Sequence, residues 1–256
     1  MLKGKTIVIT RPIEQAKKLV ALLEKAGAKS VLFPLIEITA LADYTEFNSV
    51  LAQLSSMDLA IFISTNAVQN GMSRLVQSYS MLPNTLKFAA IGPTTAQALQ
   101  NYGVQHVIKP MNRFDSETLL ALPEMQNVQG KNVMIFRGVG GREVLADTLS
   151  TRGANVIFAE CYRRVNPQTN VNLLVSLSQK NQLNALVVTS SEAMRSLLEL
   201  TENGLAQWLK NTKICINHMR IYDDLPPYLY AQTYVASAPG DDAMLQCLEN
   251  TLTIEP

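Results

Sequence analysis

The chain has 256 residues, 47% of them hydrophobic and 17% charged, a balance that suits packed globular domains and excludes disorder. Its 22 basic and 21 acidic residues leave a formal charge of +1, which gives no global electrostatic footprint for nucleic acid, so any anion site must be local. Three cysteines without C-x-x-C spacing, and two histidines without an H-x-x-x-H or H-x-E pattern, argue against a disulfide framework and against a protein metal site.

The opening "MLKGKTIVITRP" places basic residues before an apolar run. That run covers only Thr6 to Thr10, too short for a signal-peptide core. No stretch approaches the ~18 apolar residues of a membrane span. A cytoplasmic protein with no membrane contact is expected.

"TIVIT" reads as a buried strand, and the next segment places Ala16, Leu19, Val20 and Leu23 on one helical face, closed by Gly27. "SVLFPL", "LAIFIS" and "KFAAIG" are further short strands, the last two running into polar turns that open helices. "VMIFRGVGGREVLADTL" reads as a strand, a glycine-rich turn and a helix, with Arg142 one turn into that helix. The turn is no nucleotide fingerprint. G-x-G-x-x-G counted from Gly138 needs glycine where Glu143 stands, and the G-K-[ST] ending of a P-loop is absent.

Shifted by 126 residues, so that Lys5 falls on Lys131, the chain matches itself. Arg11 then meets Arg137, Leu19 meets Leu145, Leu23 meets Leu149, and Gly27-Ala28 meets Gly153-Ala154. The same shift lays Ser64 on Ser190, Ala67 on Ala193, Lys87 on Lys213, Asp115 on Asp241 and Leu122 on Leu248. One offset serving separated segments indicates a duplicated unit. Alternating strands and helices then predict two similar parallel-sheet α/β domains, with ligand binding at the carboxyl ends of the strands.

The loops at those ends share Ser, Thr and Arg. Arg11, Ser64-Thr65, Thr94-Thr95, Arg137 and Ser190-Ser191 all fall where a strand is expected to meet a helix. Helix N-termini offer unpaired N–H groups and partial positive charge to carboxylates or phosphates. Each of these residues also has a plainer reading. A Ser or Thr there serves as an N-cap, and an Arg as a solvated loop residue or an interdomain ion pair. Tyr162, after "VIFAEC", reads either as a packing residue or as a proton donor.

Taken together, "TIVITRP", "IFISTNAV", "AIGPTTAQAL", "IFRGVGGREVLADTLSTRGA", "ECYRR" and "VVTSSEA" resemble the uroporphyrinogen-III synthase family, in that order along nearly the whole chain. The resemblance implies a cofactor-independent, metal-free lyase of tetrapyrrole biosynthesis. Its small-molecule substrate would be hydroxymethylbilane, a linear tetrapyrrole with eight carboxylates, closed with loss of water and inversion of ring D to uroporphyrinogen III. It also implies two α/β domains joined by a two-stranded linker, with the active-site cleft between them. Here these would be residues 1–36 with 167–256, and 40–162, with linkers near 37–39 and 163–166; the repeat alone suggests a cut near 128.

By the same resemblance Tyr162 matches the tyrosine proposed to help the hydroxyl depart, Thr95 a threonine lining the cleft, and Arg11, Ser64 and Ser190 positions near the ligand. Thr65, Thr94, Arg137 and Ser191 join them as expected substrate-binding residues. At 217–220, where the repeat would place a second GPTT-like segment, the chain instead has Asn217-His218-Met219-Arg220. A monomer is expected, in transient contact with the preceding enzyme of the pathway. The rival reading is a non-catalytic two-domain protein that binds small anions; a dinucleotide oxidoreductase is disfavoured by the failed glycine pattern.

Overall fold

The computed structural model describes residues 2–168, 170–201, 206–223 and 225–253. Its strands are β1 (Thr6–Ile9), β2 (Lys29–Leu32), β3 (Glu37–Thr39), β4 (Leu59–Phe62), β5 (Lys87–Ala90), β6 (Val107–Ile108), β7 (Asn132–Gly138), β8 (Asn155–Val165), β9 (Ala185–Val188), β10 (Lys213–Ile216) and β11 (Thr233–Val235). They form two sheets, a five-stranded one ordered β11-β10-β9-β1-β2 and a six-stranded one ordered β3-β8-β7-β4-β5-β6. The described residues fall into two compact units, residues 1–37 with 165–256 (unit 1) and residues 38–164 (unit 2).

The central strands are short, continuous apolar runs because helices cover both faces of a parallel sheet. β1, β4 and β9 are buried at every position, and β7 at six of its seven. In unit 1, Leu19 and Leu23 of the helix Ile13–Lys25 pack with Ile7, Ile9, Val187 and Leu248. In unit 2, Phe62 and Phe136 stack with centroids 4.2 Å apart on one face of the sheet, while Ile61, Ile135 and Leu149 pack on the other.

The repeat reappears in the register. Thr6 pairs with Lys29 across β1 and β2, and Asn132 with Asn155 across β7 and β8. Ala185 pairs with Lys213, and Leu59 with Lys87. Each of these pairs maps onto the other by the offset read from the sequence. The copies have exchanged parts, however. β1 and β2 of the first copy share a sheet with β9, β10 and β11 of the second, while β4, β5 and β6 share one with β7 and β8. The chain leaves unit 1 just after β2 and returns only after β8, so each unit holds one full set of repeat elements and buries an equivalent core.

Gly27 and Gly153 end equivalent helices in the left-handed region, at φ 83° and 85°, which glycine adopts without a Cβ clash. The N–H groups of Ala28 and Ala154 then reach back to Leu23 and Leu149 at 2.9 and 3.1 Å.

Two local expectations need correction. β7 runs through Arg137 to Gly138, and the following helix begins only at Val144, so Arg137 lies inside a strand and not at a helix-opening turn. Gly140 and Gly141, at φ 68° and 105°, form the intervening turn, whose backbone cannot continue a helix. Arg142 therefore precedes the helix, and its guanidinium meets Glu117 at 3.1 Å. Arg163 and Arg164, in the expected two-stranded linker, continue β8.

Candidate functional site

In an open parallel sheet the strand order reverses at one point, and the loops leaving the carboxyl ends there diverge and open a ligand crevice. In unit 1 this point lies between β9 and β1, in unit 2 between β4 and β7. The residues beyond those four strand ends are Ser190-Ser191, Arg11, Ser64-Thr65 and the Gly138–Gly141 loop. Most of the residues expected from the sequence thus sit at the two switch points.

In unit 1, fully buried Thr10 ties the two strand ends together, donating from Oγ1 to Val187 O at 2.9 Å. Arg11 pairs through Nη1 with Asp241, the first residue of the helix Asp241–Thr253, while its Nε is buried without a hydrogen-bond partner. Ser190 Oγ accepts from Ala193 N at 3.1 Å and caps the helix Ser191–Thr201. Ser191 Oγ is buried without a partner, and so is Asn217 Oδ1 just beyond β10. His218 Nδ1 accepts from Arg220 N at 3.1 Å and starts the short helix Met219–Asp223.

A buried polar atom left unpaired costs about 1–3 kcal/mol, so such atoms are few and call for a reason. Here three of them follow the ends of three adjacent strands, β10, β9 and β1. Two can donate, Arg11 Nε and Ser191 Oγ, and one accepts, Asn217 Oδ1. That combination suits a ligand carrying both carboxylates and N–H groups. Asn217 was not among the expected residues. Its only sequence signal was a polar amide directly after an apolar strand, in a segment that read as a break in the repeat.

In unit 2 the arrangement is closed by internal contacts. Ser64 Oγ accepts from Ala67 N at 3.1 Å, capping the helix Thr65–Ser78, and lies 3.3 Å from Tyr162 Oη. Thr65, the first residue of that helix, is half-buried. A register shift in the pairing of β7 with β8 sets Gly138 opposite Tyr162. A Cβ at Gly138 would come within 2.6 Å of the tyrosine ring, so only glycine admits Tyr162 in this position. The ring is 2% exposed. At the end of β5, Gly92 and Pro93 open the helix Pro93–Asn101, with Thr94 exposed and Thr95 buried.

Arg137 occupies the same slot in the repeat as Arg11 but is placed differently. It is 2% exposed, donates from Nε to Gly138 O at 3.2 Å and from Nη2 to Gly140 O, and lies 4.5 Å over the Phe158 ring. Glu160, 4.0 Å from Arg137 Nε, accepts from Gly140 N at 3.0 Å. The guanidinium is thus spent on holding its own loop, and Ser64 and Tyr162 are not among its partners. Cys161, beside Tyr162, donates to Arg137 O at 3.3 Å, and burial pushes its thiol up to about 12.

Cavities of 460 Å³ in unit 2, around Phe47 and Phe158, and of 470 Å³ in unit 1, around Tyr234 and Cys247, are lined by none of the expected residues. Among the described residues no group of three or more His, Cys, Asp or Glu side chains could hold a metal ion, and no helix is long and apolar enough to cross a membrane.

Fold and switch points together define a duplicated α/β protein whose two units present capped helix N-termini and hydroxyl side chains at equivalent strand ends. The profile described as uroporphyrinogen-III synthase HemD matches residues 17–246. The uroporphyrinogen-III synthase of Escherichia coli (strain K12) is 34% identical over 245 residues, covering 95% of this chain and all of that one. That of Proteus mirabilis is 38% identical over 160 residues, covering 62% of this chain and 80% of its own. The fold is shared with a mutant uroporphyrinogen III synthase from the extremely thermophilic bacterium Thermus thermophilus, at TM-score 0.69 and 18% identity over 98% of this chain and 100% of that one. It is also shared with uroporphyrinogen-III synthetase from Helicobacter pylori 26695, at TM-score 0.55 and 17% identity over 94% and 97% of the two chains. The chain belongs to the uroporphyrinogen-III synthase family and is an enzyme.

Proposed function

We propose that the protein cyclises hydroxymethylbilane, with loss of water and inversion of ring D, to uroporphyrinogen III, acting as a cofactor-independent lyase of tetrapyrrole biosynthesis. Membership of the family supports the reaction. The observation that carries the reading is the duplicated equipment at the two switch points, which suits a substrate with carboxylates along its whole length. Capped helix N-termini and hydroxyls bind such groups without a basic surface, in keeping with a formal charge of +1.

In this reading Arg11, Ser190 and Ser191 bind substrate from unit 1, and Asn217 accepts from a pyrrole N–H. Ser64, Thr65, Thr94 and Thr95 bind from unit 2. Arg137 acts indirectly by fixing the Gly138–Gly141 loop. Tyr162 faces the departing hydroxyl. Because Ser64 Oγ already accepts from Ala67 N, its own proton can point to Tyr162 Oη, which leaves the tyrosine proton for the substrate. Departure of hydroxide from a pyrrolic methylene is driven by the ring-nitrogen lone pair, giving an azafulvene cation. The enzyme's main task is then to hold the chain so that ring D attacks this cation through its substituted carbon.

Hydroxymethylbilane also closes spontaneously, to the type I isomer, which favours rapid transfer. We therefore also propose a cytoplasmic monomer that takes its substrate in transient contact with the enzyme that makes it.

Incubation with hydroxymethylbilane, a chelator and no added cofactor tests the lyase reading. The expected result is accelerated loss of the bilane, chelator-insensitive, with a product lighter by one water. Consumption no faster than in buffer would overturn it.

A further inference from the structure

Unit 1 contains a second reactive cluster that cyclisation leaves unused. The 470 Å³ cavity is lined by Thr233, Tyr234, Val235 and Ser237 on one side and by Gln246, Cys247, Asn250 and Thr251 of the helix Asp241–Thr253 on the other. Cys247 is 9% exposed, and Cys215 of β10, fully buried, packs in the same core cluster. Cys215 Sγ also lies 3.9 Å from the hydroxyl of Thr251, one helical turn beyond Cys247. Lys213, on the same strand as Cys215, brings a cation to this group by donating from Nζ to Thr251 O at 2.5 Å.

We propose that Cys247 is a modification site, a nucleophilic thiol open through this cavity to small hydroperoxides, with Cys215 as the thiol that resolves the oxidised product into a disulfide. Three features carry it: a cavity lined by one sulfur, a second sulfur packed in the same core cluster, and a hydroxyl on the helix of the first sulfur that lies 3.9 Å from the second. The acidities of the two thiols agree with these roles. Hydrogen bonding to Cys215 first, and to Thr251 after it, outweighs burial and holds Cys247 below the ordinary thiol range. Cys215 shifts the opposite way, because the shared hydrogen bond and its burial both hold its proton in place. Thiolate, not thiol, is the attacking species, so the two cysteines are assigned distinct parts.

The Cys247 thiolate attacks one oxygen of hydrogen peroxide. The O–O bond breaks, hydroxide leaves, and Cys247 becomes a sulfenic acid. The sulfur of Cys215 then attacks that of Cys247, and its proton leaves with the displaced hydroxide as water. In total two thiols lose two electrons and two protons, and one peroxide becomes two waters. The disulfide would join β10 to the helix covering it.

The folded full-length protein, treated with a small excess of hydrogen peroxide, is alkylated and mapped by mass spectrometry. The expected result is joint loss of two thiols into a Cys215–Cys247 disulfide, with Cys161 still free as the internal standard. Before oxidation, Cys247 should alkylate roughly tenfold faster than Cys161 or more, given their difference in thiolate content. In Cys215→Ser, dimedone should trap a sulfenic acid at Cys247, and in Cys247→Ser the thiol of Cys215 should persist. Oxidation of Cys161 first, or of Cys247 with Cys215 left free in the wild type, would overturn the proposal. So would thiols that react only after unfolding. The wild-type map needs no variant to fold, and every readout is of thiols and not of turnover.

Discussion

At the residue scale, Ser64, Gly138 and Tyr162 act as one unit. Gly138 leaves room for the tyrosine ring, and Ser64 meets its hydroxyl at 3.3 Å. Tyr162→Phe keeps the ring and removes only the proton. Single-turnover cyclisation should slow by about tenfold, less than the ~10²-fold of a typical positioned acid, since the pyrrole supplies much of the push; an unchanged rate would remove Tyr162 from the mechanism. Gly138→Ala forces a Cβ into the ring and should cost about 1–3 kcal/mol by denaturant unfolding, with loss of activity as Tyr162 shifts. An alanine variant of wild-type stability would show that the ring has room to move. The sequence made Tyr162 legible only through the "ECYRR" resemblance, because a tyrosine after an apolar strand is ordinarily a packing residue. Asn217 was legible only as part of a break in the repeat and not as a ligand: its unpaired oxygen exists only once β10, β9 and β1 lie side by side.

At the scale of elements, the proposed positioning falls to helix N-termini. Ser64 and Ser190 occupy equivalent places and accept from Ala67 and Ala193 at the same 3.1 Å. Ser190→Ala should lower stability by about 1 kcal/mol, the usual worth of a cap, as read from thermal or denaturant midpoints. A loss in substrate affinity well beyond that of a distant variant of equal stability would mark Ser190 as a ligand contact as well. The central strands β1, β4, β5 and β7 and the helices that follow β1 and β7 were visible in the sequence because apolar periodicity and the Gly27 and Gly153 stops are local signals. The end of β7 was not. "FRGVGG" carries no periodicity, and the extension through Arg137 depends on pairing with β8, a strand of 11 residues whose final part looked like a charged linker.

At the scale of the molecule, the duplication is plain in the internal repeat, but the exchange of parts entered only through the family resemblance, since the offset is the same whichever copy supplies β1 and β2. Cutting the chain at the repeat boundary should therefore fail. Residues 1–128 lack β7 and β8, the partners of β4 and β3, and should not unfold cooperatively as a fragment; residues 38–164 hold a complete unit and should. Circular dichroism with urea titration distinguishes the two, and a cooperative 1–128 fragment would contradict the exchange. The most direct test of the whole account is the isomer ratio. Hydroxymethylbilane is closed in the presence of the protein, and the uroporphyrinogens are oxidised and separated by chromatography. The account predicts type III in large excess over the spontaneous type I product; type I alone, at any enzyme concentration, would contradict it.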